Sequence, residues 1–377
     1  MVRLATRRHA LSLFVWALFA SFAPPAAAAG RSAPDIALEV ALTPPGELYP
    51  ALDLSQAPRG DRSLGGGSGL LRVAVLNRGG ATALRLRVDS EGLRAPAEFE
   101  LALASGERRS WWPRLDWDAA ALRGLSAPRR QDLRVSVEAD GVAIAAERLD
   151  VRLHGLDEAL YYVRSDGQSV DLAGIFAAYV DPHSPAVDAI LARAGLDAAT
   201  QHPLPAAAER ARRLALAAAV WSELVRRGLR YSADVLALES GPRLYSQRVQ
   251  LPEQTWQLGS AHCLDASVLI ASVLERLGVP TFLVLVPGHA LVGFYVDAAR
   301  REAEVVETTL LAGGDASAGS FAAALAAGRA RYRLALPHLA AGARPGHMVI
   351  DVSAARAYGI MPLAVGAGSR DDRPPGD

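Results

Sequence analysis

The chain has 377 residues, is 51% apolar, and balances 40 basic against 40 acidic residues. A net charge of zero argues against a nucleic-acid binder, and against a basic partner recruited by an acidic tail. The apolar content suffices for sizeable cores and argues against wholesale disorder, while the length suggests two domains. There is no lysine, so every basic residue is arginine.

At the N-terminus, Arg3, Arg7 and Arg8 precede an apolar run from about Ala10 to Phe22. Pro24 and Pro25 break it, and the small residues Ala26 to Ala29 follow. A positive start, a short apolar stretch and a small-residue end predict a cleavable export signal over 1–29, with cleavage after Ala28 or Ala29. The apolar run is short for a membrane span, so no stable span is expected after cleavage. Thr6-Arg7-Arg8-His9-Ala10-Leu11 also resembles a twin-arginine export signal, without the aromatic residue often found after the arginine pair. The expected location is periplasmic or secreted. One cysteine, Cys263, leaves no internal disulfide, so the thiol is either a small buried hydrophobe or a reactive group.

Residues 30–155 read as an antiparallel β-sandwich. Ile36 to Leu42 could be a first strand, and Gly65 to Gly69 a flexible loop. Period-two alternation recurs at Leu71–Leu76, Leu84–Val88, Phe99–Leu103, Leu133–Val137 and Leu149–Leu153, separated by turn residues. Several such strands at this spacing predict two packed sheets, similar in pattern to bacterial immunoglobulin-like modules. Trp111, Trp112 and Trp117 cluster around Pro113; a packing role at one end of the sandwich is favoured over a ligand patch.

From residue 156 the text changes. Leu214, Leu216, Ala217, Val220, Trp221 and Leu224 recur at helical spacing, with Trp221 expected in the core. Gly228 and a Leu229–Ser232 turn end this helix, and a Gly-, Pro- and Ser-rich loop is expected up to Gly259-Ser260. Cys263 then opens a second helical pattern through Leu277, stopped by Gly278. A cysteine at a helix N-terminus faces unpaired backbone N–H groups and the positive end of the dipole, which stabilise a thiolate and can hold an oxyanion. Pro280–Val286, a strand opened by His289, and Glu304–Leu310 predict successive antiparallel strands that bring His289 beside Glu307. Nucleophile, base and orienting carboxylate would then come from a helix tip and two neighbouring strands.

Cys263-Leu264-Asp265 at a helix start, Val286-Pro287-Gly288-His289-Ala290 and Glu307-Thr308-Thr309 resemble bacterial transglutaminase-like domain proteins. Gln247 to Pro252, Ile350 to Arg356 and Gly359 to Leu363 are also similar. The resemblance spans about residues 200 to 365. It implies an α+β, papain-like transglutaminase core over 156–366 and a Cys263-His289-Glu307 triad. Glu307 departs from the aspartate usual in the superfamily, and His262 from an expected small or polar residue. Gln247, within a stretch of the resemblance, and Gln257, six residues before Cys263, are alternative donors to the oxyanion, with Gln247 preferred. Asp265 reads as a first-turn helix stabiliser. His154, His183, His202, His338 and His347 are scattered without metal-ligand spacing, and one cysteine excludes a thiolate-rich zinc site. No phosphate loop is present, and no cofactor is expected.

The implied function is an exported cysteine enzyme that cleaves or transfers acyl groups at peptide or isopeptide amides. Its partners would be protein or peptide substrates, with cell-wall peptide among the candidates. Two alternatives are a non-catalytic protein-binding scaffold with an inactive papain-like domain, and acetyl transfer from a thioester. Residues 367–377 read as a disordered tail.

Overall fold

The computed structural model describes residues 2–3, 36–56, 70–139, 142–165, 168–197, 204–232, 237–239, 243–313, 316–341 and 346–363. The expected export signal, apart from Val2–Arg3, the Gly65 to Gly69 loop and the tail lie outside the described residues. The chain is mixed α/β with several sheets and divides into two compact units that meet in sequence at Glu158 and Ala159.

The first unit is built of strands. Ile36–Leu42, Leu71–Asn77 and Arg108–Trp111 form one antiparallel sheet. The other runs in the order Glu47–Leu48, Val142–Leu153, Arg129–Ala139, Thr82–Ser90 and Ala97–Leu103. Alternation works as the pleat demands. Leu84, Leu86 and Val88 are buried with their cross-strand partners Leu101, Val137 and Val135, while the arginines between them are more exposed. Trp111 and Trp117 are buried, and Trp117 donates its indole N–H to the buried Asp53 carboxylate at 2.8 Å.

The second unit has a five-stranded antiparallel sheet ordered Val2–Arg3, Glu302–Val306, His289–Tyr295, Thr281–Val286 and Met348–Asp351. Phe282, Val284, Leu291, Ala303 and Val305 pack against Tyr332, Ala335 and Leu339 of the Ala318–Ala340 helix. Alternate residues Leu283, Leu285, Ala290 and Val292 are equally buried, and the Cys263–Arg276 helix packs against the same central strands. Covered on both faces, these strands need continuous apolar text rather than alternation. Pro287 and Gly288 make the turn between the two central strands, with Gly288 in the left-handed region at φ 69°.

Several local expectations are corrected here. Arg230–Tyr231 is not part of a turn but a short strand, parallel to Ser260–Ala261. The stretch expected as a loop holds strands Ala237–Glu239 and Leu244–Arg248, which pair with each other, and the helix Pro252–Leu258; Leu244–Arg248 also neighbours the distant strand Glu158–Ser165. The strand expected to reach Leu310 stops at Val306, and Thr308–Gly313 winds into a 3₁₀ turn. The physical reason is a backbone bond: the Glu307 N–H donates to the Ala324 carbonyl of the covering helix at 3.1 Å, not to the sheet.

Candidate active site

Cys263 is the first residue of a helix whose residues Cys263 to Leu274 are all buried. The two serines within that stretch return their hydroxyls to the backbone, Ser267 to the Cys263 carbonyl at 2.6 Å and Ser272 to Val268 at 2.8 Å. Thr308 also donates to the Cys263 carbonyl, at 3.2 Å, which ties the helix start to the residue after Glu307. The thiol is 4% exposed, and it contacts His262, His289 and the Ala290 N–H. Burial by itself pushes a thiol pKa up. Here the bonds from the two histidines, the His289 charge and the Ala290 N–H outweigh it and bring Cys263 down to about 6.

His289 opens its strand directly after the Pro287-Gly288 turn. Its Nε2 lies 2.9 Å from Glu307 Oε2, which leaves the ring's other nitrogen for the sulfur. Burial works to lower the imidazole pKa, but bonds and charges from Cys263 and Glu307 prevail and raise it to about 9. Between these two values the pair exists as thiolate and imidazolium, the reactive form of a nucleophilic cysteine.

Glu307 is fixed at both oxygens. Oε1 accepts from the Thr309 N–H at 3.2 Å and the Thr309 hydroxyl at 2.7 Å. Oε2 faces His289 and, at 3.0 Å, Arg331 Nε. Burial raises its pKa, yet the His289 and Thr309 bonds and the His289 charge hold it below the ordinary carboxylate range, so the group stays anionic. Arg331 reaches Glu307 because the Ala318–Ala340 helix lies unusually close to the sheet. A Cβ on Gly328 would stand 2.3 Å from the Val305 carbonyl oxygen, so only glycine permits this approach.

The structure therefore brings Cys263, His289 and Glu307 together, with His289 hydrogen-bonded to Glu307 and lying beside the thiol. Comparison of the chain with family models, with curated proteins and with solved structures returned no match. Among the described residues, no group of His, Cys, Asp and Glu is arranged to hold a metal, and no helix is long and apolar enough to cross a membrane.

The candidate oxyanion donors fare differently from the triad. Gln247 donates through Nε2 to the carbonyl of its neighbour Arg248 at 3.1 Å, and Gln257 is exposed on the Pro252–Leu258 helix. Asp265 is wholly buried in the first turn of the Cys263 helix, accepting the Gln250 N–H at 2.8 Å and the His262 N–H at 3.3 Å. Its role as a first-turn acceptor was legible in the sequence; its ion pair with the His262 ring, at 3.2 Å, was not. Tyr231 was also missed. Its phenol is held protonated, first by burial and then by the negative charges of Cys263 and Glu307, with Arg331 opposing. The parallel bridge between Arg230–Tyr231 and Ser260–Ala261 places it there. Nothing in the sequence pairs Tyr231 or Arg331 with the site, because each arrives through a tertiary contact.

Proposed function

We propose that this chain is an exported cysteine enzyme of the transglutaminase-like type, acting on peptide or isopeptide amides by hydrolysis or transfer to an amine. The observation that carries this reading is the series from the Cys263 thiol through His289 to the anionic Glu307, with the thiol pKa lowered to about 6. In the reaction the Cys263 thiolate attacks the acyl carbon, forming a C–S bond, and the carbonyl electron pair moves to oxygen. His289 gives its proton to the leaving amine as the C–N bond breaks. Water or an acceptor amine then attacks the thioester, His289 takes a proton from it, and the thiolate leaves. Glu307 touches neither reacting bond; it orients the ring and stabilises its positive form.

A nucleophile on a helix tip packed against an antiparallel sheet that carries the base supports a papain-like core over residues 156–366. The two sheets of the first unit are what an immunoglobulin-like module would contain. The arginines, apolar run and small residues before Gly30 support export to the periplasm or beyond.

The test is the rate of Cys263 alkylation by iodoacetamide as a function of pH, in the wild type and in His289→Ala. The wild-type thiol is expected to reach half its limiting rate near pH 6, and the variant at a clearly higher pH that stays below the ordinary thiol value of about 8.5, because the His262 contact remains. A wild-type thiol that reacts only near the ordinary value, or only after unfolding, overturns the catalytic reading and leaves the binding scaffold.

A further inference from the structure

His262 is an unexpected neighbour for a nucleophile, and its surroundings say what it does. Its side chain is only 11% exposed. It contacts the Cys263 sulfur, the Arg248 backbone carbonyl and, at 3.2 Å through Nε2, the buried Asp265 carboxylate. Once Cys263 is a thiolate, all three contacts are acceptors. A neutral imidazole has a single N–H to offer and an imidazolium has two, so this pocket selects the charged ring. Burial alone would lower the His262 pKa, and the same three groups hold it above the ordinary value. Asp265 is itself locked by the Gln250 and His262 backbone N–H groups, so the ring it pairs with has little freedom to swing away.

We propose that His262 is a second catalytic imidazole, a fixed donor that serves the Cys263 sulfur at rest and the oxyanion once the acyl carbon is attacked. This rests on the acyl-transfer reading above. When sulfur attacks, its charge passes to the carbonyl oxygen one bond further on. The ring nitrogen not taken by Asp265, on a ring beside the sulfur, and the backbone N–H groups of the helix start are the donors available to that charge. His262 takes part in no proton transfer in this scheme: His289 carries the proton to the leaving amine, and His262 only donates hydrogen bonds.

Two probes of the full chain separate this role from a general one. Iodoacetamide alkylates a thiolate by displacement and forms no oxyanion, whereas p-nitrophenyl acetate acylates it through a tetrahedral oxyanion. The ratio of acylation to alkylation rate, measured on the same preparation, cancels any loss of folded protein. In His262→Ala this ratio is expected to fall by about 100-fold, the usual effect of removing one oxyanion donor. In His262→Gln, which keeps a neutral N–H donor, it should recover in part. An unchanged ratio in both variants overturns the proposal, as does a Gln variant no better than Ala. These outcomes differ from failure of the underlying reading, in which the wild-type thiol would show neither early alkylation nor dependence on His289.

Discussion

The two units place charge in opposite ways. In the strand unit, charged side chains form cross-strand ladders on an outward sheet face: Arg85 with Glu100, Arg87 with Glu98, Arg130 with Asp150. These pairs are solvated, so each contributes little. In the second unit the charges go inside. Glu304 is wholly buried between Arg210 and Arg329, Arg213 is buried against Glu209, and Asp265 and Glu307 lie behind the thiol. Buried charges interact strongly because water does not screen them, which is the condition for moving a thiol and an imidazole pKa toward each other. The strand unit has its own buried charge cluster, His154 between Glu47 and Glu158 at 2.6 and 2.9 Å with Tyr49 stacked on the ring. No cysteine stands beside it among the described residues, so buried charge alone does not make a site of the Cys263 kind.

The sharpest test of this contrast is chemical. His289→Ala should cut alkylation at pH 6 through the thiolate fraction, by less than the about 100-fold of a fully ordinary thiol because the His262 contact remains, and acyl transfer by about 10³-fold or more. His154→Ala should leave the alkylation profile unchanged. Its expected cost is instead about 3 kcal/mol in denaturant unfolding, because two nearly buried carboxylates lose their cation. Equal effects of the two substitutions on the thiol would erase the distinction between the units.

Gly328→Ala should destabilise by about 1–3 kcal/mol, since the added methyl group meets the Val305 backbone and forces the helix outward. Loss of the Arg331–Glu307 contact should accompany it, visible as a changed pH profile of alkylation. A smaller effect follows from linkage. His289, raised to about 9, contributes stability that is complete below its unfolded value near 6.5 and is lost as pH rises through 9. Cys263, lowered to about 6, contributes stability that is complete above its unfolded value near 9 and is lost as pH falls through 6. The melting-temperature difference between wild type and His289→Ala should therefore be greatest between these limits and shrink on both sides. Least of all, Arg87→Ala on the outward sheet face should change stability by less than about 1 kcal/mol, and by still less at high salt.

Much of this architecture was legible from local pattern. Alternation marked Leu71–Asn77, Thr82–Ser90 and Arg129–Ala139, because a sheet with one outward face imposes a period of two. Continuous apolar text marked Thr281–Val286, and helical spacing marked the helix of Trp221, whose ring is buried. The Arg108–Trp111 strand escaped notice because its text, Arg-Arg-Ser-Trp, has no apolar alternation; its pairing with Leu71–Asn77 makes it a strand. The Leu244–Arg248 strand and the Pro252–Leu258 helix escaped because neither is long enough to show a period against the Gly- and Pro-rich text around it.

The sequence by itself determined which residue types could do chemistry and where a reactive cysteine would sit, because a helix start is a local property of the chain. It also placed His289 beside a Pro-Gly turn and Glu307 within the next strand, which in the structure ends one residue earlier, at Val306. Tertiary structure alone decided what surrounds them. The Ala324 carbonyl ends the strand at Glu307, Gly328 lets Arg331 approach, and the Arg230–Tyr231 bridge brings in the phenol. The Arg248 carbonyl and buried Asp265 surround the His262 ring beside Cys263. Electrostatic environment depends on distance and desolvation among groups far apart in the chain, and neither quantity is written in local sequence.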